Sequence, residues 1–161
     1  MEISNKNVIV TGGANGIGKA LAKAFKNAGA SYILIADLDE TEGQKTADEL
    51  GIKFKKTDVS SESDIIELIA TANNDAQSID IFCSNAGIGG APMLLDVSTE
   101  DWQNIWEINV MSHIYAAKNV LPQMIENGSG YLMNTASAAG LLTQVGAAPV
   151  SYTHLRAHET R

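Results

Sequence analysis

Short apolar runs rich in β-branched residues alternate with amphipathic stretches from the start of the chain. Asn7-Val8-Ile9-Val10-Thr11 reads as a strand, and residues 16–28, with Ile17, Ala20, Leu21, Ala24 and Phe25 at helical spacing, read as a helix. The two periods then repeat: strand over 32–36, helix over 40–50, strand over 53–57, helix over 61–76, strand over 79–84. Such alternation predicts an α/β fold, a doubly wound sheet of parallel strands joined by crossover helices on both faces.

A loop over 85–98 follows, glycine-rich at Gly87, Gly89 and Gly90 and broken by Pro92. Ser98 or Thr99 can cap a single long helix over about 100–126, with Asp101 in its first turn and Gly128 near its stop. Pro122 is expected to kink or tighten its last turns. A fifth strand over 130–135 leads into a loop of small residues. There is no internal repeat beyond the strand-helix alternation.

Composition narrows the function classes. With 161 residues, 45% hydrophobic and 19% charged, the chain has the makings of one globular domain. The net charge of −8, with no clustered Lys and Arg, argues against a nucleic-acid or anionic-membrane surface, since both need basic clusters to displace counterions. No run approaches the ~20 apolar residues of a membrane span, and Met1, Glu2, Ser4, Asn5 and Lys6 form no basic leader, so the expected location is cytoplasmic. Cys83 has no second cysteine to pair with and is expected to be a buried structural thiol. Of the histidines only His154 and His158 stand at ligand spacing, without the glutamate of the zinc-protease arrangement, and no metal site is expected.

Between the first strand and first helix stands Thr11-Gly12-Gly13-Ala14-Asn15-Gly16-Ile17-Gly18. Glycines here let the backbone approach a pyrophosphate while the helix N-terminus points its N–H groups and positive dipole end at the phosphates. Alone, such a cluster also fits an ordinary tight turn. The second strand, however, ends in Asp37, about 20 residues on, where a carboxylate can accept hydrogen bonds from the adenosine ribose hydroxyls. A carboxylate there repels a 2′-phosphate, and neither Leu38 nor Asn15 supplies a cation to offset it, so NAD is favoured over NADP. These features read as a Rossmann-type dinucleotide site.

The spacing of Gly12, Gly16 and Gly18 resembles that of the short-chain dehydrogenase/reductase family, and four further motifs follow in the family's order. Asp58-Val59 resembles its adenine-ring contact, and Asn85-Ala86-Gly87 its strand-stabilising motif beside the cofactor. Asn109-Val110 resembles the helix asparagine that holds a backbone kink and a relay water, and Asn134-Thr135-Ala136-Ser137 the segment ending in the catalytic serine. The resemblance covers residues 1–149, a little over half of a typical family domain. It implies NAD-dependent hydride transfer between a secondary alcohol or ketone and nicotinamide, with cofactor contacts at Gly12, Asn15, Gly16, Ile17, Gly18, Asp37, Leu38, Asp58, Val59, Asn85, Ala86 and Gly87. It also implies catalytic roles for Asn109 and Ser137, and a homo-oligomer for the full-length form.

The family's reaction also needs a tyrosine and a lysine. A free phenol has a pKa of about 10, so a neighbouring cation must stabilise the phenolate for it to serve as a base near neutrality. Counting on from Ser137 places the tyrosine at Val150 and the lysine at His154. Tyr152 and Arg156 form a Tyr-x-x-x-Arg array displaced by two positions, and a two-residue loop insertion would be needed to make Tyr152 catalytic. The match stops near Pro149, and residues 151–161 resemble a translated sequencing-adapter read-through. The expected organisation is therefore an incomplete NAD-binding domain over 1–149 and a tail over 150–161 outside the native fold.

On that reading the fifth strand is an exposed edge, and Trp106, Val110, Ile114 and Leu121 lie on an uncovered helix face. Leu94, Leu141 and Leu142 either line the mouth of a pocket or serve as ordinary packing residues. Two other readings stay open: a dinucleotide-binding module without turnover, and a methyltransferase of similar fold, which leaves Asn85, Asn109 and Ser137 unexplained as a set.

Overall fold

The computed structural model describes residues 2–89, 94–141 and 148–155. Five parallel strands, β1 (Asn7–Thr11), β2 (Tyr32–Asp37), β3 (Lys53–Lys56), β4 (Ile81–Ser84) and β5 (Tyr131–Asn134), form one sheet in the order β3-β2-β1-β4-β5. From β1 the chain builds outward through β2 to β3, then returns to the far side of β1 for β4 and β5. The strand order thus reverses between β1 and β4, the place where open α/β sheets leave a crevice beyond their carboxyl ends.

The period of two in the strands sorts side chains onto the two faces. On one face Ile9, Leu34 and Phe82 pack against Ile65, Leu68 and Ile69 of α3 (Glu62–Ala76) and Val120 and Met124 of α5 (Ser112–Glu126). On the other, Val8, Val10, Ile33, Ile35, Ile81 and Cys83 meet Ala22 and Phe25 of α1 (Gly16–Asn27) and Ala47 and Leu50 of α2 (Glu40–Leu50). Cys83 is buried, and burial pushes its thiol up to about 12. The central strands β1 and β4 and most of β2 are buried, which accounts for their unbroken apolar runs.

Helix starts differ in one respect that bears on the site. Asp39, Ser61 and Ser98 each cap their helix by accepting a backbone N–H, from Glu42, Asp64 and Asp101, and those helices carry two acidic residues in the first turn. At the start of α1, Asn15 makes no side-chain cap bond and the first turn holds no acid.

The expected helix over 100–126 is present, but its winding changes around Asn109, where the resemblance implied a backbone kink. It is built as α4 (Thr99–Trp106), a five-residue π turn (Glu107–Met111) and α5. The wider turn brings the buried Asn109 side chain to the loop after β4, a reward that regular α-helical winding would forgo. Pro122 lies inside α5, which runs on to Glu126 with the proline exposed to water.

Among the described residues β5 pairs only with β4, and Trp106, Ile114 and Leu121 are exposed while Val110 is half-buried. A further helix, α6 (Ala148–Leu155), packs on α4 and on the short 3-10 turn at Ala138–Gly140, and its Tyr152 ring meets Trp102 edge-on at 5.9 Å. Among the described residues no helix is long and apolar enough to cross a membrane.

Candidate cofactor and reaction cleft

Beyond the carboxyl ends of all five strands lies an open cleft of about 640 Å³. Its floor is the glycine turn. Gly12 has φ +65°, and a Cβ there would stand 2.9 Å from Ala86 Cα, so the residue must be glycine to let the loop after β4 close over the turn. At Gly18 a Cβ would fall 2.0 Å from the carbonyl oxygen of Gly12, so the first turn of α1 can lie directly on the strand end. Gly16 has φ +52° with nothing within 4 Å of its missing Cβ, and so leaves open space beside the helix N-terminus.

Backbone ties hold this turn. Asp37 accepts the Ala14 N–H at 3.0 Å through Oδ2 and the Asp39 N–H at 3.1 Å through Oδ1, Gly13 donates to Ala36 O, and the Thr46 hydroxyl donates to Ala14 O at 2.6 Å. Each Asp37 oxygen retains a second lone pair, and the residue lines the cleft. At the end of β3, Asp58 accepts from the Ser60 N–H and hydroxyl, while its own N–H donates to Asp64 Oδ2 at 3.1 Å. That bond, followed by the Ser61 hydroxyl, holds the Asp64 carboxyl below its ordinary value.

Asn85 joins three strand ends. Its amide donates to Thr11 O at 3.0 Å, its carbonyl accepts the Thr135 hydroxyl at 2.9 Å, and its N–H and that of Ala86 both donate to the Thr11 hydroxyl. Asn109 clamps the same loop reciprocally: it donates to Ile88 O and accepts the Ile88 N–H, both at 2.9 Å. Gly87 is spaced for this contact, a Cβ there meeting Asn109 Oδ1 at 3.3 Å. Ser137 follows β5 and accepts the Ala139 N–H at 3.1 Å, which leaves its hydroxyl proton available to donate into the cleft.

Of the residues singled out from the sequence, Gly12, Asn15, Ile17, Gly18, Asp37, Leu38, Asp58, Val59, Asn85, Ala86, Gly87, Asn109 and Ser137 line this one cleft. Gly16 borders it at the start of α1 without lining it, and Tyr152 packs against Trp102 rather than lining it. The positions counted on from Ser137 do line it: Val150 and His154 face the same space from α6. Gly140 permits that approach, for a Cβ there would come within 2.4 Å of His154 Cβ.

Sequence reasoning did not single out Thr57, Ile88, Gly89, Ile108, His113, Thr135 or Ala136 as lining residues. His113 was legible in principle, standing about one helical turn beyond Asn109. Leu141 is exposed; Leu142, Pro92, Gly90, Arg156 and His158 lie outside the described residues, as does the side chain of Leu94. Among the described residues no group of three or more His, Cys, Asp or Glu comes together as a metal site.

The short chain dehydrogenase family model matches residues 6–153, and the chain belongs to that family. An uncharacterised oxidoreductase of Staphylococcus aureus is 32% identical over 141 residues, and an uncharacterised oxidoreductase of Bacillus subtilis is 33% identical over 145. The matches take in 86% and 88% of this chain and 61% and 54% of those proteins. A crystal structure of a short-chain dehydrogenase/reductase from Burkholderia phymatum in complex with NAD superposes with a TM-score of 0.93 at 26% identity, covering 98% of this chain and 58% of that one. The chain thus spans somewhat over half the length of these relatives.

Proposed function

We propose that the cleft binds NAD, and that the protein to which this segment belongs transfers hydride between a secondary alcohol or ketone and that cofactor. The observation that carries the reading is the start of α1: its N–H groups are not taken by a cap side chain, no acid stands in its first turn, and Gly12, Gly16 and Gly18 keep the approach clear. Gly12, Asn15, Ile17 and Gly18 would hold the pyrophosphate, Asp37 the adenosine ribose, and Asp58 and Val59 the adenine. Asp37 repels a 2′-phosphate, and among the described residues no cation lines the cleft beside it, which favours NAD over NADP. The Burkholderia protein's complex with NAD supports this choice.

When bound, the dinucleotide supplies the ring that accepts or gives up hydride. Ser137 donates its hydroxyl to the substrate oxygen, and Asn109 keeps the loop after β4 seated at that end. At the position for proton exchange stands Val150, whose side chain carries no proton to exchange, with His154 in the place of a lysine. As given, the chain is therefore a cofactor-binding unit without turnover. We place the whole protein in the cytoplasm as a homo-oligomer acting on a small alcohol or ketone.

Calorimetric titration of the chain with NAD and NADP, followed by NADH absorbance with a panel of secondary alcohols, tests this. NAD binding without turnover is expected. Failure to bind either dinucleotide would remove the cofactor reading, and turnover lost in Tyr152→Phe would remove the assignment of the reacting end.

A further inference from the structure

A hydroxyl in the middle of a helix commonly bonds back to the carbonyl one turn earlier in the same helix. Thr71 of α3 does so, to Glu67 O at 2.8 Å, and Ser112 at the start of α5 does so, to Ile108 O at 2.6 Å. Thr46 of α2 behaves differently. It stands on the buried face of that helix with Gly43, Ala47 and Leu50, and its hydroxyl leaves the helix to donate to Ala14 O in the glycine turn at 2.6 Å. A hydroxyl set in an apolar layer is costly unless it is bonded, and here the partner is the turn that the cofactor reading places under the pyrophosphate.

The bonded carbonyl belongs to the peptide joining Ala14 to Asn15. That peptide is trans, so its N–H points opposite to its C=O. With the carbonyl drawn toward α2, the Asn15 N–H is turned away from α2. Asn15 lines the cleft, its side chain makes no cap bond, and among the described residues no protein group accepts its N–H. The preceding peptide is held separately, by the bond from the Ala14 N–H to Asp37. Ala14 itself is buried, so its carbonyl has no water to turn to if the Thr46 hydroxyl is removed.

We infer that Thr46 is a positioning residue for the dinucleotide: from outside the cleft, its hydroxyl fixes the plane of the peptide joining Ala14 to Asn15 and so aims the Asn15 N–H at the pyrophosphate. The inference rests on the cofactor reading above, in which Asn15 helps to hold that group. Thr46 touches no part of the ligand. It acts through the main chain, and its removal lowers affinity by leaving the peptide free to rock and its N–H poorly aimed.

The test measures the dissociation constants of NAD and ADP-ribose by calorimetry for the unmodified chain and three variants. Thr46→Val removes the hydroxyl at nearly constant volume, and Thr46→Ser keeps it. Ala47→Gly weakens α2 on the same buried face without a bond to the turn. Thr46→Val is expected to bind both ligands about tenfold more weakly, the order of one lost hydrogen bond to a buried acceptor. Thr46→Ser should bind close to the unmodified chain, and Ala47→Gly should lose stability in urea while keeping its affinity. In the amide spectrum the Asn15 N–H resonance should move when NAD binds the unmodified chain, and move less in Thr46→Val.

NAD bound as tightly by Thr46→Val as by the unmodified chain overturns the inference and leaves the cofactor reading intact. Equal weakening in Ala47→Gly does the same, since the effect is then one of helix stability rather than of aim. So does an Asn15 resonance that NAD leaves in place in the unmodified chain, a measurement that decides even if Thr46→Val does not fold. Absence of binding of either ligand by the unmodified chain overturns the cofactor reading and this inference together.

Discussion

The two ends of the cleft are made from different parts of the polypeptide. Over β1 and β2 the site is largely backbone: the uncapped start of α1, a turn emptied of side chains at Gly12, Gly16 and Gly18, and Asp37 bound to two main-chain N–H groups. Over β5 and α6 it is made of side chains on separate elements, Ser137, His113, Val150 and His154. The first end is intolerant of bulk at Gly12 and Gly18, and its chemistry is that of main-chain N–H groups and the Asp37 carboxylate. At the second, the geometry accepts different side chains and the chemistry changes with each.

The largest effect should come from the side-chain end. Val150→Tyr combined with His154→Lys is expected to raise alcohol-dependent NADH formation from none to a measurable rate, because both positions already face the cleft beside Ser137. If the double variant folds and binds NAD yet stays inactive, these two side chains do not suffice for the reaction, and side-chain identity is not what separates the two ends.

Next comes bulk at the backbone end. Gly18→Ala places a Cβ against the Gly12 carbonyl and should cost about 3 kcal/mol in urea denaturation, together with NAD binding. Gly16→Ala meets open space and carries only the strain of φ +52°, about 1 kcal/mol. Equal losses in the two would show that crowding is not what selects glycine at position 18.

A smaller effect is expected from Asp37→Ser: about tenfold weaker NAD binding, the loss of one hydrogen-bonded charge, with NADP affinity rising relative to NAD. Unchanged preference would take Asp37 out of ribose recognition. The smallest effect concerns Cys83 beneath the floor. Its folded thiol ionises at about 12 against an ordinary 9.0, so its contribution to stability is complete below pH 9.0 and is lost as pH rises toward 12. Thiol reagents at about pH 8 should therefore label the chain only at the rate at which it unfolds; faster labelling would mean that the β4 floor opens locally.

Much of this was legible along the chain. The apolar runs located β1, β2 and β4 because strands buried on both faces leave no room for polar alternation, and α2 runs from Glu40 to Leu50 as read, between an aspartate cap and a left-handed glycine. Asp37 and the glycine turn were singled out by their spacing at strand ends, and the fold brings Gly12, Gly18 and Asp37 into one cleft. The π turn was legible only through the resemblance, which implied a backbone kink at Asn109; nothing in Glu107–Met111 departs from helical patterning, and the advantage comes from a loop about 20 residues earlier in the chain. His113 was missed although it stands about one helical turn beyond Asn109, because a lone histidine on a helix points to a site only once the elements opposite it are placed.

By itself, then, the sequence determined what depends on neighbours in the chain. Burial period set the strands, small residues and caps set the turns and helix starts, and the residue types in the family's order set the class of protein. Only the tertiary structure decided which residues share the reacting end, because α5, the loop after β5 and α6 meet there from stretches far apart in the chain. It brought Val150 and His154 into the cleft and turned Tyr152 onto Trp102. The physical reason is direction: spacing along a chain fixes distance along a helix, but which face of α6 looks inward depends on the close approach that Gly140 allows.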